Sequence, residues 1–483
     1  MIYSSTIPLI GVVVILIIDK SKIELTKKVA LNFSFAPNIL FLFLLGGLNL
    51  STGFFQFSSQ LYWIPSLNLN LTLGVDGISI FFILLTTLLI PLCILTSWNN
   101  SVFDNKLFLI SFLIIEFLLI SSFCALDLFL FFVFFESILI PMFLIIGIWG
   151  SRERKILASY YFFLYTLFGS VLMLTAIMYI YYQTGTADYE TLLAFKFSLL
   201  EQKILWLAFF IAFAAKVPMI PVHLWLPEAH VEAPTGGSMI LAGVLLKLGT
   251  YGFIRFSLPL FPEASFFFTP VVYTLSIVGI IYASFTAIRQ TDIKRIIAYT
   301  SVAHMNVVML GIFSFNSVGI EGAILQSLSH GFVATALFSI IGVIYERYQT
   351  RIVRYYGGLS QMMPLYSGVF LFFTMANIGF PGTSNFVGEF LILTGSFQVN
   401  SSVTILGATG MVWGGCYALW LLNRVIFGNL KTQYVAKMLD LNKREIFIFS
   451  PLICYTLLLG LLPNSCLSVI HASVNYLIEN IYF

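Results

Sequence analysis

Long apolar segments follow one another along almost the whole of this sequence, and no other feature constrains its fold so strongly. A helix needs about 20 apolar residues to cross the hydrocarbon core of a bilayer, and runs of that length recur with no room left for a soluble domain. The composition agrees, because 59% of the 483 residues are hydrophobic and only 9% are charged, whereas soluble proteins carry about 25% charged residues. The sequence therefore predicts an all-α polytopic membrane protein.

The apolar segments divide into about fourteen predicted transmembrane helices. The segment 62–75 is different, because its polar and apolar residues alternate as in an extended or hairpin element at the surface. We predict spans at 4–18, 37–54, 77–98, 107–126, 127–149, 156–182, 204–222, 239–257, 266–288, 293–313, 318–345, 364–383 continuing past a break to 396, 402–428 and 446–463.

Basic residues are distributed unevenly between the connecting loops. Nineteen of the 24 Lys and Arg residues lie in, or at the edge of, loops that follow odd-numbered spans; three lie on the other side, and Lys216 and Lys247 lie inside spans. Short loops on the cytoplasmic or matrix side collect Lys and Arg. Both termini are therefore expected on the opposite side, which in a mitochondrion is the intermembrane space.

Seven ionisable residues lie well inside the predicted spans. Near the centre of a bilayer, each charge costs roughly 2.5–3.5 kcal/mol on insertion scales, and seven would cost on the order of 18–25 kcal/mol. That sum exceeds the net stability of a typical domain, about 5–15 kcal/mol. These side chains must therefore be paired, hydrated or neutral, and such residues are typical of proton and ion pathways. They are Glu116, Glu136, Lys216, Lys247, His304, His330 and Glu389.

Two predicted spans contain helix-breaking residues close to an ionisable residue. Pro218 and Pro221 follow Lys216 in the seventh span, and the run GFPG precedes Glu389 in the twelfth. A proline inside a helix removes a hydrogen bond, and broken backbone at membrane depth has to line a cavity or contact protein.

The spacing of the two breaks indicates an internal repeat. The second break lies five spans after the first, as expected for two inverted five-helix repeats, spans 4–8 and 9–13, each with one broken helix. Independent proline kinks are the alternative. The predicted divisions are 1–105, with three spans and the surface hairpin; 106–257, the first repeat; 258–428, the second repeat; and 429–483, with the fourteenth span and a tail.

In the first repeat, Glu136 is expected to face Lys216. A Glu–Lys pair that can be separated is a proton switch, because the charge on each residue stabilises the charge on the other. A static structural ion pair is the alternative. Glu116, in the preceding span, is as consistent with a structural hydrogen bond as with a relay role.

Lys247 has no acidic residue near it in the sequence, which favours a hydrated relay role over snorkelling to the interface. His304 and His330 lie on neighbouring spans, and histidine accepts and donates protons near its unperturbed pKa of about 6.5. A hydrogen-bonded packing role is the alternative for both histidines. Glu389 is expected to release a proton toward the far side.

The sequence shows no pattern typical of a redox cofactor, a nucleotide or a nucleic-acid partner. The five cysteines have no spacing that fits zinc or an iron–sulfur cluster, and a net charge of +3 is too small to indicate nucleic acid. A Pro-rich loop holds two histidines and two glutamates that could bind a metal, but capping of the adjacent spans is favoured. These residues are His223, Glu228, His230 and Glu232.

Several runs resemble subunit 4 of mitochondrial NADH:ubiquinone oxidoreductase, respiratory complex I, in its plant or protist form. The resemblance extends from about Asp76 to Arg444, and its longest run, AAKVPMIPVHLWLPEAHVEAPTGGSMILAGVLLKLGTYGFIRF, is highly specific. The other runs are FFVFFESILIPM, IAYTSVAHMN, VRYYGGL and PGTSNFVGEFLIL.

The resemblance implies a proton-pumping, antiporter-like subunit of the membrane arm in the mitochondrial inner membrane, driven by quinone reduction elsewhere in the complex. It implies that NADH, FMN, iron–sulfur clusters and ubiquinone are bound by other subunits, and that the partners are other membrane-arm subunits, including neighbouring antiporter-like ones, and lipids. It carries the relay role to six of the seven buried residues but not to Glu116. An Mrp-type cation/proton antiporter subunit and a passive scaffold are the alternative functions. The six residues are Glu136, Lys216, Lys247, His304, His330 and Glu389.

Overall fold

The computed structural model is mostly helical, as the sequence predicts. It describes residues 2–19, 21–64, 69–98, 105–431, 434 and 439–482. Within those ranges, eleven helices are long and apolar enough to cross a membrane, and two shorter apolar helices accompany them. Lys20 and Lys437, two of the basic residues on which the predicted orientation depends, lie outside the described residues.

Nineteen helices are described, and we number them α1 to α19 in chain order. They are α1 Ile2–Ile17, α2 Ile23–Gly46, α3 Ser79–Thr96, α4 Asn105–Cys124, α5 Leu128–Trp149, α6 Lys155–Thr184, α7 Tyr189–Leu193, α8 Leu199–Lys216, α9 Trp225–Glu232, α10 Thr235–Leu260, α11 Pro262–Arg289, α12 Ile293–Ile312, α13 Ser317–Tyr348, α14 Leu359–Met362, α15 Pro364–Ile378, α16 Ser384–Val399, α17 Ser401–Val425, α18 Lys443–Leu461 and α19 Asn464–Tyr482.

The predicted hairpin is present and is longer than its sequence pattern indicates. Strands β1 (Gln56–Ile64) and β2 (Leu69–Val75) pair antiparallel, with Leu61 opposite Leu71. The polar residues before Tyr62 gave no clear alternation, so the first strand begins six residues earlier than predicted.

The second span was predicted at the wrong place, because α2 covers Ile23–Gly46 rather than 37–54. The lysines near its start were assigned to a loop, and Pro37 was taken as the first helical residue. The Lys27 ammonium instead donates a hydrogen bond to the carbonyl of Trp98, just beyond the end of α3. A basic residue in the first turns of α2 therefore has a hydrogen-bond partner. A long lysine side chain can place its charge beyond the apolar part of such a helix.

Both predicted helix interruptions are present. α8 ends at Lys216 and α9 begins at Trp225, while α15 ends at Ile378 and α16 begins at Ser384. Gly379 ends α15 at φ 82°, in the left-handed region that glycine adopts without a Cβ penalty. The predicted loop around His230 is wrong, since Trp225–Glu232 is helical. Pro227 did not prevent this, because a proline in the first turn needs no intrahelical donor.

Two helices form the centre of the molecule, and both carry ionisable residues. The most apolar window of α10 is 100% buried within the protein, and so is that of α13. Glycines allow the neighbouring helices to approach closely: a Cβ on Gly249 of α10 would lie 3.1 Å from the Lys216 Cβ, and one on Gly388 of α16 would lie 2.8 Å from the Gln326 Cα of α13. The buried charges are therefore held between helices in direct contact.

The tail predicted after the fourteenth span contains an amphipathic helix, α19. One face of it is buried, and the Ser473 hydroxyl on that face accepts a hydrogen bond from the Gly77 N–H at 3.1 Å. This helix therefore packs against the start of α3 and the end of the hairpin.

Candidate functional site

The buried ionisable residues of the second half of the chain form a linked series. The Lys247 ammonium lies 2.9 Å from the His330 Nδ1, which joins α10 to α13. Both residues are almost fully buried, at 0% and 1% exposure. Hydrogen-bond contact at this distance allows a proton to pass between an amine and an imidazole.

The local backbone of α10 helps to hold Lys247. Leu241–Leu245 form a π-helical turn, in which hydrogen bonds span five residues instead of four. The carbonyl of Ala242 in this turn accepts a hydrogen bond from the Lys247 ammonium. The amine therefore contacts a carbonyl on one side and an imidazole on the other.

The next contact joins α12 to the second broken helix. The His304 Nδ1 lies 2.9 Å from a carboxylate oxygen of Glu389, and the Gln326 amide donates to that same oxygen at 3.1 Å. His304 is 7% exposed and Glu389 is 3% exposed. Helices α12, α13 and α16 thus converge on one carboxylate.

The two histidines connect these contacts. The ring centroids of His304 and His330 are 5.7 Å apart, and the Nε2 of each ring has no hydrogen-bond partner within the described chain. A cavity of about 20 Å³ adjoins His304 and Glu389 and is also lined by Asn377 and Tyr417. A cavity of about 10–15 Å³ is enough for one water.

The predicted partners of the first half, Glu136 and Lys216, interact electrostatically but do not form a direct ion pair. Neither the Lys216 ammonium nor the Glu136 carboxylate has a hydrogen-bond partner in the described part of the chain, and no ion pair within 4.0 Å joins them. The ammonium instead lies 4.6 Å from the centroid of the Phe135 ring and 6.0 Å from that of Phe162. An aromatic face attracts a cation, so these rings supply part of the stabilisation that a carboxylate would give.

Lys216 is also close to the helix that carries Lys247, because its side chain packs against Gly249. Glu136 lies one turn before Pro141, which has no N–H to donate to the carbonyl of Ser137. The Ser137 hydroxyl bonds the Val133 carbonyl at 2.6 Å in the same turn. Both charged residues therefore lie where the helical hydrogen bonding is interrupted.

Glu116 is separate from the series. It is 0% exposed on α4, and neither of its carboxylate oxygens has a hydrogen-bond partner among the described side chains and backbone groups. A charged carboxylate without partners is costly in an apolar interior. This arrangement favours the neutral form and gives Glu116 no relay contact.

The residues of the predicted metal-binding loop are dispersed. His230 stacks on Phe338 with centroids 4.5 Å apart, Glu228 pairs with Arg295, and His223 lies beside Tyr282. Over the described residues, no group of three or more His, Cys, Asp or Glu side chains is placed to hold a metal ion. The Lys294 ammonium bonds the carbonyls of His230 and Ala233 and the Ser238 hydroxyl, which ties α12 to the start of α10.

At the other end of α10, Arg255 and Asp76 form a buried ion pair. The Arg255 guanidinium lies 2.5 Å from the Asp76 carboxylate, and the two residues are 5% and 1% exposed. Nearby, Asp127 connects α4 to α5 outside the spans and accepts a hydrogen bond from the Leu130 N–H at 2.9 Å. Burial raises the pKa of Asp127 to about 6, although that hydrogen bond acts in the opposite direction.

A search for ionisable residues alone missed Gln326 and the Ala242 carbonyl. Gln326 precedes His330 by four residues, so the helical period puts both on one face of α13; this signal was available in the sequence. The Ala242 contact depends on a π turn, for which the run LAGVL gives no recognisable signal.

Comparisons with known proteins identify the family. The model described as NADH:quinone oxidoreductase/Mrp antiporter, transmembrane, matches residues 125–414. NADH-ubiquinone oxidoreductase chain 4 of Chondrus crispus is 56% identical over 478 residues, covering 99% of this chain and 97% of the relative. The chain belongs to the family of NADH-ubiquinone oxidoreductase chain 4. NADH-ubiquinone oxidoreductase chain 4 of Arabidopsis thaliana is also 56% identical, over 98% of this chain and 96% of the relative.

Chains in two solved structures share this fold. Respiratory complex I from Thermus thermophilus with bound NADH contains a chain that superposes with a TM-score of 0.90 at 28% identity, covering 99% of both chains. A chain of the membrane-bound sulfane sulfur reductase, an archaeal respiratory membrane complex, gives a TM-score of 0.86 at 22% identity, and this likeness concerns the fold alone. The predicted resemblance to subunit 4 of complex I is therefore confirmed.

Proposed function

We propose that this chain is an antiporter-like, proton-translocating subunit of the membrane arm of NADH:ubiquinone oxidoreductase. Quinone reduction in other subunits drives it, and its partners are the other membrane-arm subunits and lipids. The observation that carries the proposal is the buried series Lys247, His330, His304 and Glu389. Lys247 contacts His330 and His304 contacts Glu389. The ring centroids of the two histidines are 5.7 Å apart.

The proton path follows from these contacts. Lys247 passes a proton to His330, His330 passes it to His304 directly or through one water, and His304 passes it to Glu389. Glu136 and Lys216 lie on the input side of the path. Because they are not paired in this structure, a movement that brings them together or apart changes the charge next to Lys247 and triggers the transfer.

The energetics of this switch are adequate. Moving one proton against 100 mV requires about 2.3 kcal/mol, and one pKa unit corresponds to about 1.36 kcal/mol. A change of about two units at a single group therefore covers the electrical work of one step.

The finer architecture belongs to the same proposal. The chain crosses the membrane about fourteen times, with inverted repeats at 106–257 and 258–428, the segment 1–105 before them and 429–483 after them. The interruptions after Lys216 and after Ile378 support the repeat. Both termini face the intermembrane space of the mitochondrial inner membrane, and NADH, FMN, iron–sulfur clusters and ubiquinone are bound by other subunits.

The proposal is tested with Lys247→Ala in vesicles that carry the assembled complex. We expect NADH-driven proton translocation to fall by more than tenfold while the complex still assembles. Lys203→Ala is the matched control, since Lys203 lies over the exposed face of Phe267 and outside the series. Unchanged translocation in Lys247→Ala would refute the relay role. Sodium-dependent proton flux without NADH would instead favour the Mrp-type antiporter.

A further inference from the structure

We propose that Gln326 is a positioning residue that holds Glu389 against His304 in both protonation states of the carboxyl group. This inference rests on the proposed proton path and concerns its last member. It assigns a role to a residue that carries no charge.

The first support is the geometry at the carboxylate. His304 and Gln326 approach the same oxygen of Glu389, at 2.9 and 3.1 Å. The other oxygen lies against the helix interruption, where a Cβ on Gly379 would be 3.0 Å from it. The carboxyl group is therefore fixed on one side by two polar groups and on the other by backbone.

The second support is the chemistry of an amide. A carboxylate only accepts hydrogen bonds, whereas a carboxylic acid also donates one. The Gln326 Nε2 donates to Glu389 here, while its Oε1 is buried and has no partner in the described structure. Rotation of the amide by half a turn presents Oε1 to the protonated acid, so one side chain serves both states without leaving its place.

The third support is the packing that places Gln326. It is 0% exposed, and α13 and α16 approach closely beside it, since a Cβ on Gly388 would lie 2.6 Å from its Oε1 and 2.8 Å from its backbone N. The side chain therefore runs along α16 to the next residue, Glu389. Being four residues before His330, it also couples the position of Glu389 to the helix that carries His330, an earlier member of the path.

Three groups from the packed elements face Glu389 and enter the interpretation of any pH profile. They are His304 from α12, Gln326 from α13 and the phenol of Tyr417 from α17. Gln326 does not titrate, so its replacement changes the profile only through Glu389 and its neighbours.

The test uses the assembled complex with Gln326→Met and Gln326→Glu. Methionine keeps the length of the side chain but removes its donor and acceptor, and we expect about tenfold slower NADH-driven proton translocation, with a pH optimum moved toward higher pH. A hydrogen bond to a charged group has about that effect. Glutamate shares a proton with Glu389, so Gln326→Glu should retain activity at low pH and lose it as the pH rises.

Ser327→Ala is the matched control, because Ser327 is a buried polar neighbour on the same helix whose hydroxyl bonds only the Ala323 carbonyl. A purely structural role for Gln326 predicts that Met is tolerated with an unchanged pH profile, and this result would overturn the inference. If Glu389→Gln leaves translocation intact, the proposed proton path itself fails. If only Gln326→Met is silent, the path stands and the positioning role is rejected.

Discussion

The two ends of the ionisable series are built differently. At one end, Glu136 and Lys216 have no hydrogen-bond partner in the described chain, and the lysine lies over aromatic rings. At the other end, Glu389 is held by a histidine and an amide. Both ends lie at interrupted helices, so the interruption alone does not explain the difference.

This difference indicates that the two ends have different roles in proton transfer. A buried group without partners is costly in its charged form, so its protonation responds strongly to any charge that approaches it. A group in a hydrogen-bonded series is already solvated by its neighbours and transfers a proton over a short distance. We infer that the Lys216 end controls the transfer and the Glu389 end conducts it.

The largest expected effect is at the controlling end. Lys216→Ala should abolish coupled proton translocation without preventing assembly, because the buried ammonium that it removes makes no hydrogen bond in the described chain. The number of protons translocated per NADH oxidised measures the coupling. The amount of complex on a native gel measures the assembly. A normal ratio of protons to NADH in Lys216→Ala would show that the Glu136–Lys216 end does not control the transfer.

A smaller effect is expected in the conducting series. His330→Phe keeps a ring of similar size but removes the 2.9 Å contact with Lys247, and the Ala242 carbonyl remains for the ammonium. A positioned proton-transfer group contributes about 10²–10⁴-fold, and water replaces part of the lost contact, so we expect translocation to fall by at least about tenfold without being abolished. Full activity in this variant would mean that the proton bypasses His330.

Glu116 sharpens the comparison because it is buried and unpartnered but has no relay contact. Glu116→Gln should change translocation by less than about twofold and leave the complex at least as stable to heat, because a neutral amide replaces a carboxyl group that the site does not solvate. Translocation assays and thermal inactivation of the purified complex measure these effects. A loss comparable with that of Lys216→Ala would extend the controlling region to α4.

The smallest expected effect is on stability outside the spans. The pKa of Asp127 is raised to about 6 by burial, compared with about 3.9 in an unfolded chain. The folded protein therefore binds this proton more tightly, and the contribution of Asp127 to stability falls as the pH rises from about 4 to 6. Asp127→Asn keeps a capping oxygen for Leu130 and should flatten the pH dependence of the inactivation temperature over that interval.

Asn400→Ala is the control for this experiment, because it removes the cap of α17, where Asn400 accepts from the Val403 N–H at 3.1 Å, and asparagine does not titrate. It should leave the pH dependence unchanged. The same pH dependence in native protein and in Asp127→Asn would assign the effect to other groups.

Much of the fold could be predicted from the sequence, because apolar length and proline position act locally. Pro218 and Pro221 predicted the end of α8, and the run from Gly379 to Gly382 predicted the interval between α15 and α16. Lys27 shows where this reasoning fails, since it was assigned to a loop but lies in α2. Whether a lysine can reach a carbonyl beyond the helix depends on a residue 71 positions away, Trp98.

The sequence also indicates candidate residues for the site, but it does not indicate the contacts between them. The residue types marked His304, His330 and Glu389 as relay candidates, yet the sequence did not reveal that Gln326 completes the contacts of Glu389. It also favoured a facing Glu136–Lys216 pair; in the structure these residues interact electrostatically, but no hydrogen bond or ion pair within 4.0 Å joins them. Distances between helices depend on packing at small residues such as Gly249 and Gly388, and these contacts involve partners distant in sequence.

The most direct test of the central claim is the infrared difference spectrum of the complex on reduction by NADH. If protons travel through Glu389, the native complex should show a carboxyl band that changes during turnover, and this band should be absent in Glu389→Gln and weakened in His330→Phe. An identical carboxyl signal in the native complex and in Glu389→Gln would show that Glu389 keeps its proton state during turnover, and the proposed path would be contradicted.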